Sequence, residues 1–173
     1  MLPAHPLPNS YWILPGQFLA GAYPHTSEDL QTLIQAGINF FVDLTEPEEG
    51  SLPQYAHTLK MLARPLGTRF WHQRIPIPDM SCPSPQVVRA ALTAIHTALS
   101  LQRRVYLHCY GGIGRTGTIV GCYLVQYQHI SGEQALEQIR AWRRDTPNGY
   151  RTSPETEAQH ARVLTWGQEK FIE

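Results

Sequence analysis

Residues 105–125, VYLHCYGGIGRTGTIVGCYLV, constrain this chain more than any other stretch. An apolar run ends at His108, Cys109 follows, and Gly111, Gly112, Gly114 and Gly117 then surround Arg115 and Thr116. The run 105–108 reads as a strand and the apolar segment 115–128 as a helix. A strand that feeds a helix through a glycine-rich loop leaves a ring of backbone N–H groups at the positive end of the helix dipole, which is an anion site. The glycines let the backbone wrap closely and adopt positive φ. Arg115 offers a planar fork for two oxygens of a phosphate. The same field favours the thiolate, so Cys109 is expected to be a nucleophile aimed at phosphorus. Five residues separate Cys109 from Arg115, enough to curl around one tetrahedral anion. Tyr110, Gly111, Gly112, Ile113 and Gly114, with Arg115, are therefore the expected phosphate-binding set. A structural cysteine beside a flexible turn does not account for the four glycines and the arginine together.

Around this stretch, strand and helix patterns alternate. Residues 11–22 read as two short strands about the Pro15-Gly16 turn. Ser27 is placed to cap a helix that Gly37 stops. Residues 38–44, INFFVDL, read as a buried strand, 45–54 as a loop, and 55–63 as a short helix. Residues 70–77 form a strand that Pro76 and Pro78 end, and 79–84 a loop. Ser84 caps and Pro85 opens a helix to about Leu101, with Val88, Ala91, Leu92, Ile95 and Leu99 at helical spacing. Ser131, with Gln134 in capping-box position, starts another helix that ends near Arg144. A last helix is expected from Ser153-Pro154 toward Glu169. Strands joined by helices indicate a single α/β domain over 11–173, with a central, mostly parallel sheet flanked by helices. Residues 1–10, with three prolines, are expected to be a flexible arm.

Fourteen basic and fourteen acidic residues cancel, which argues against nucleic acid or a membrane surface as a general partner. Only Lys60 and Lys170 are lysines, so basic patches are arginine patches, as at Arg140, Arg143 and Arg144. No apolar run of about eighteen residues exists, and the first residues lack the basic start and apolar core of a secretory signal. Cys82, Cys109 and Cys122 are an odd set with no paired framework, so a reducing, cytoplasmic location is expected. The eight histidines show no ligand-like spacing, so neither metal nor cofactor is expected. A monomer is expected.

The string HCYGGIGRTG resembles the phosphate-binding loop of the cysteine-dependent protein phosphatases, H-C-x(5)-R-[ST]. WILPGQFLAGAYP, VDLTE, IPIPDMSCP and GRTGTIVGCYLV are similar, in the same order, to segments of small atypical dual-specificity phosphatases, so the likeness covers most of the chain. It implies a protein-tyrosine-phosphatase-like fold and a two-step hydrolysis through a phosphocysteine. It also implies roles. Cys109 attacks, Arg115 holds the developing charge, and Asp79, thirty residues before the cysteine on a mobile loop, is the general acid. Thr116 hydrogen-bonds the sulfur, though a helix-start threonine bonding to backbone is the other reading of it, and His108 orders the loop, though a core histidine satisfied by backbone reads as well. The segment SPETEAQ, residues 153–159, lies against the loop, with Glu155 or Gln159 placing the hydrolytic water. On the residues alone, Asp79 serves equally as a turn residue, and 153–159 equally as a solvated helix start.

Asp43, at the end of a buried strand, is the next candidate acid, with a structural hydrogen bond the expected role. Cys82 is either a thiol that pairs with an oxidised Cys109 or a small half-buried side chain. Cys122 is expected in the core. The long aromatic-bearing loop of tyrosine-specific members has no counterpart here. A shallow pocket is expected, taking phosphotyrosine and also phosphoserine or phosphothreonine on a protein or peptide. Lysines inside the loop, frequent in phosphoinositide phosphatases, are replaced by Tyr110 and Ile113. Two other readings stay open: an inositol-polyphosphate or phosphoinositide phosphatase, and a phosphate-binding pseudophosphatase.

Overall fold

The computed structural model describes residues 5–49 and 55–168. Strands β1 (Ser10–Leu14), β2 (Phe18–Gly21), β3 (Phe40–Asp43), β4 (Trp71–Arg74) and β5 (Val105–His108) form one sheet in the order β1-β2-β5-β3-β4. β5 is central and parallel to both β2 and β3, β3 is parallel to β4, and only β1 runs antiparallel, against β2. Among the described residues the helices are α1 (Ser27–Gln35), α2 (Ala56–Leu66), α3 (Pro85–Ser100), α4 (Gly114–Gln128), α5 (Gly132–Arg143) and α6 (Glu157–Thr165).

Side chains alternate across a strand, and here both faces are buried. Phe18, Ala20, Phe40, Val42, Val105 and Leu107 enter the core built with α3 to α6. Leu19, Phe41 and Tyr106 enter the one built with α1 and α2. This is why β3 and β5 read as continuous apolar runs rather than alternating ones. None of the described helices is long and apolar enough to cross a membrane.

Several expected boundaries move. Thr26, not Ser27, caps α1, in a reciprocal box with Asp29 at 3.0 Å in both directions. α6 starts at Glu157, where Thr156 and Gln159 form the capping box, and not at Ser153. Ser153 is instead drawn to the cysteine loop: its hydroxyl donates to Ile113 O at 2.7 Å. The arm expected over 1–10 is packed from Leu7 onward. Leu7 is buried, the Ser10 hydroxyl donates to its carbonyl at 2.7 Å, and Ser10 opens β1. Residues 1–4 of that arm, 50–54 of the expected loop and the last residues of the expected final helix lie outside the described residues.

Because β3, β4 and β5 are parallel, their carboxyl ends open at one edge of the sheet. The chain leaving each of them meets there, the usual place for a ligand in such folds.

Candidate active site

The loop after β5 is fastened by its carbonyls. Cys109 O meets His108 Nδ1 at 3.0 Å. Tyr110 O accepts from Tyr23 N at 2.9 Å, Gly111 O from Asn148 Nδ2 at 3.1 Å, and Ile113 O from the Ser153 hydroxyl. Gly114 O accepts from the Thr118 hydroxyl at 2.8 Å. Each of these donors stands outside the ring of residues 110–115. Among the described residues, no protein acceptor meets the N–H groups of 110–115. Buried backbone donors are almost always satisfied, so such a ring of amides at a helix N-terminus is built for an anion. Cys109, 2% exposed, sits at the start of this ring.

The glycines act differently from expectation. Only Gly112 takes a positive φ, 71°, and a Cβ there would meet the Gly21–Ala22 backbone at 2.4–2.6 Å. Gly114 and Gly117 lie in α4 and serve close approach. A Cβ at Gly114 would lie 2.6 Å from Glu155 Oε2 and 3.1 Å from Gln159 Oε1, and one at Gly117 would lie 2.3 Å from the Ser153 hydroxyl. The expected placement of 153–159 against the loop is therefore observed. Gln159 is fully buried. Its Oε1 accepts from Glu155 N and Thr156 N, and its Nε2 donates to Ser81 O at 3.0 Å. It thus ties the start of α6 to the loop bearing Asp79. Glu155 pairs with Arg151.

Arg115 is 1% exposed yet charged. Nη1 donates to Glu49 Oε2 at 2.6 Å and to Ile77 O at 2.9 Å, and Nη2 to Glu49 Oε1 at 2.6 Å. Asp79 Oδ1 lies 3.0 Å from Nη2. Nε is buried with no partner among the described residues. Burial opposes the charge, but the Glu49 hydrogen bonds, with Cys109 and Asp79, outweigh it and raise the guanidinium above its ordinary value. The edge left for a ligand is Nε together with the N–H that Asp79 faces.

Asp79 is 61% exposed in its side chain, and its Oδ1 also accepts from Met80 N at 2.9 Å. Asp79 thus stands in a turn closed by Ser81 N to Pro78 O at 3.1 Å, and from that turn it reaches the arginine. Thr116 departs from expectation: among the described residues its buried hydroxyl has no partner, neither the sulfur nor a carbonyl. Tyr110 is exposed at the rim, edge-on to His25 at 5.5 Å. Cys82 turns its thiol to Ala158 O at 3.3 Å, the half-buried alternative. Cys122 is in the core.

Beneath the loop lies a buried polar network. Cys109 O accepts only, so His108 Nδ1 carries the proton and the bare Nε2 takes the Tyr55 hydroxyl at 2.6 Å. Burial pushes His108 below the usual histidine range, against the pull of Asp43. Asp43 accepts from the Thr45 amide and hydroxyl at 2.9 and 2.6 Å, from His72 at 3.0 Å and from Arg74 at 2.9 Å. Burial opposes its charge, but the hydrogen bonds from His72 and Thr45 hold the carboxyl well below the usual carboxylate range. It is the structural residue expected.

Sequence reasoning missed Glu49, Asn148 and Tyr55. The signal for Glu49 was available in outline. It follows the carboxyl end of a strand parallel to the one that ends at the cysteine, so an acid just past β3 falls at the same edge as Arg115.

The family model described as the Swiss Army Knife protein DSP-PTPase phosphatase domain matches residues 7–163. The chain is 32% identical over 135 residues to phosphatidylglycerophosphate phosphatase PTPMT1 of Arabidopsis thaliana, covering 77% of this chain and 37% of that protein. It is 28% identical over 134 residues to dual specificity protein phosphatase CDC14AB of Danio rerio, covering 76% and 21%. It therefore spans well under half the length of either relative. The crystal structure of Tk-PTP in the active form superposes with a TM-score of 0.71 at 23% identity, over 94% of this chain and 98% of that one, a likeness of fold. The anion cradle at the end of β5 thus lies inside a match that covers nearly the whole chain, and the chain belongs to the DSP-PTPase family of cysteine-dependent phosphatases.

Proposed function

We propose that the chain hydrolyses phosphate monoesters on proteins, phosphotyrosine and also phosphoserine and phosphothreonine, through a phosphocysteine at Cys109. The observation that carries this reading is the cradle itself. Among the described residues, carbonyls are fastened outward, amides are left without acceptors, and the free Nε edge of Arg115 stands beside a buried cysteine. A substrate phosphate takes the amides of 110–115 and the Nε edge of Arg115, displacing Asp79 from Nη2. The Cys109 thiolate attacks phosphorus in line, and the P–O bond to the leaving group breaks. Asp79 gives its proton to the departing oxygen, and Arg115 with the amides holds the charge on the equatorial oxygens. Water then attacks phosphorus, passes a proton to Asp79, and the S–P bond breaks. Glu155, held against the loop at Gly114, is the group placed to orient that water. Gln159 positions the acid loop through Ser81 O.

The absence of a basic side chain at 110–114, with exposed Tyr110 as an aromatic wall, supports a phosphoprotein over a polyphosphorylated inositol. The second reading, a phospholipid or inositol-phosphate phosphatase, is favoured by the 32% identity to a phosphatidylglycerophosphate phosphatase. Initial rates on p-nitrophenyl phosphate, phosphopeptides, inositol phosphates and phosphatidylglycerophosphate vesicles separate them. Phosphopeptides are expected to give the highest kcat/KM. A hundredfold preference for lipid or inositol phosphate reverses the order, and binding of phosphopeptides without turnover of p-nitrophenyl phosphate leaves a pseudophosphatase. Cys109→Ser is expected to lower turnover on the order of 10⁴–10⁶-fold while tungstate still binds.

A further inference from the structure

Among the described residues β4 is an outer strand of the sheet, paired with β3 alone. Trp71 N and Ile75 N donate to Asn39 O and Asp43 O at 3.0 and 2.8 Å, so these residues, with Gln73 between them, turn their backbone groups to β3. Alternate residues of a strand bond to opposite sides. The N–H and C=O of His72 and Arg74 therefore point away from the sheet, and among the described residues neither amide has an acceptor there. Such a row is a template for another strand. Pro76, with no N–H, ends it, so the edge fits a short segment.

Both flanks of this edge are concave. Toward α3 a groove of about 460 Å³ passes over Phe40 and Gln73, with Arg89 and Arg103 in its walls. Toward α2 a groove of about 450 Å³ passes over His72, with Lys60 and Arg69 in its walls. Successive residues of β4 point to opposite faces, so Gln73 and His72 floor grooves on the two sides of the sheet. A strand laid along β4 sends its own side chains alternately into the two. Neither groove is lined by an aspartate or glutamate, although acidic and basic residues balance over the whole chain. Among the described residues no ion pair engages Lys60, Arg69 or Arg103. Arg103 lies over the Trp71 ring, 3.9 Å from its centroid, so its guanidinium is ordered before any ligand arrives.

We propose that β4 is a docking edge for an acidic, extended segment of another protein, which adds as a further strand and divides its carboxylates between the two grooves. The charge of the grooves chooses this occupant. Pairing β4 with β4 of a second copy sets basic walls against basic walls, and a flat lipid surface meets one flank of the edge and not both. The carboxyl end of β4 opens at the same edge of the sheet as the cysteine loop, so a segment docked here holds its owner near the catalytic edge. The inference stands on the sheet edge and does not depend on the phosphatase reading.

The test is fluorescence polarisation of a labelled hexapeptide, Glu-Val-Glu-Glu-Val-Glu, whose acids face both sides of an extended chain, with the whole protein. It is expected to bind about tenfold more tightly than Lys-Val-Lys-Lys-Val-Lys. N-methylation of its second and fourth residues, or of its third and fifth, removes the N–H donors of one edge of the peptide at a time. One of the two sets should weaken binding about tenfold, and the other far less. Amide hydrogen exchange at His72 and Arg74 should slow with the peptide more than at Trp71 and Gln73. Lys60→Gln/Arg69→Gln, two exposed side chains, and separately Arg103→Gln should each weaken the acidic peptide about three- to tenfold, with circular dichroism unchanged. Equal binding of acidic and basic peptides, equal cost of the two methylated sets, or unaltered exchange at His72 and Arg74 overturns the proposal. So does protection of those amides that rises with protein concentration and not with peptide, which assigns the edge to a second copy. Binding to phosphatidylserine vesicles that these variants lose, with no peptide bound, overturns it in favour of a lipid surface.

Discussion

Two carboxylates reach the guanidinium of Arg115, from the loops after β3 and β4, and they are held in opposite ways. Glu49 uses both oxygens, each 2.6 Å from a different Nη. Its side chain is 15% exposed, and Oε2 is further pinned by Glu46 N at 3.0 Å. Asp79 offers one oxygen at 3.0 Å from a side chain 61% exposed. A forked, desolvated pair of this kind is strong and directional, whereas an exposed ion pair contributes little. The same charge on the same arginine thus does two jobs. The loop after β3 fixes the plane of the fork, and the loop after β4 brings an exposed carboxyl to its edge.

The sharpest way to break that contrast is Asp79→Asn. If Asp79 is the mobile acid, kcat on an alkyl phosphate should fall about 10²–10⁴-fold, with a far smaller loss on a substrate whose leaving group needs no proton. Tungstate affinity should stay within a small factor, because the fork remains held by Glu49. A near-normal kcat on the poor leaving group would move the acid elsewhere.

Glu49→Gln inverts the pattern. The amide keeps one acceptor but cannot match both Nη groups, and loses the charge that opposes burial of Arg115. Hydrogen bonds to a charged group contribute about 1.5–3 kcal/mol, so tungstate affinity and kcat/KM should weaken about ten- to a hundredfold. Dependence on the leaving group should stay as in the wild type. Loss confined to a poor leaving group would show that Glu49, not Asp79, handles the proton.

A smaller effect is expected from acid. His108 is lowered by burial, so just below its unfolded value of about 6.5 the unfolded chain binds more protons, and stability falls as pH falls from there. Glu49 is lowered chiefly by Arg115, and Asp43 by the hydrogen bonds from His72 and Thr45 against burial. The stability they contribute is present above the unfolded carboxylate values of about 4 and is lost as pH drops through their folded values. Thermal denaturation should give a flat Tm above about pH 7, a decline of a few degrees toward pH 5, and a steeper one below about pH 4 that Glu49→Gln makes shallower. An unchanged Tm from pH 7 to pH 5 would contradict a neutral, buried His108.

The contrast also explains what could be read in advance. β5, the loop and α4 are contiguous, so strand, glycines and Arg115 announce one another within twenty-one residues. Asp79 was reached through resemblance, because an aspartate after two prolines is by itself a turn signal. Glu49 sits in TEPEEG with Glu46 and Glu48, and nothing local says which acid turns inward to an arginine sixty-six residues away. Asn148 and Ser153 hold carbonyls of the loop through single hydrogen bonds, and a single long-range bond leaves no periodic trace. Similar competition moved α6: Ser153-Pro154 and Thr156 with Gln159 are both helix-start signals, and the hydroxyl of Ser153 was taken by Ile113 O.

Thr116 supplies the finest discrimination between parts that are fixed and parts that exchange partners. Among the described residues its hydroxyl, buried beside the cradle, has no partner, a condition that costs about 1–3 kcal/mol. An unsatisfied buried group in a native fold calls for an explanation, and under the proposed mechanism the phosphocysteine supplies one, because its sulfur takes on charge as it departs and would accept from this hydroxyl. Thr116→Val removes the hydroxyl at nearly constant shape. Tm should hold or rise slightly, and formation of the phosphocysteine should be unaltered. Its hydrolysis should slow about tenfold, the value of one hydrogen bond of about 1.4 kcal/mol, giving a burst of product in rapid mixing. If both steps keep their wild-type rates while Tm rises, the hydroxyl belongs with the fixed scaffold, and departure of the sulfur is assisted by the loop amides alone.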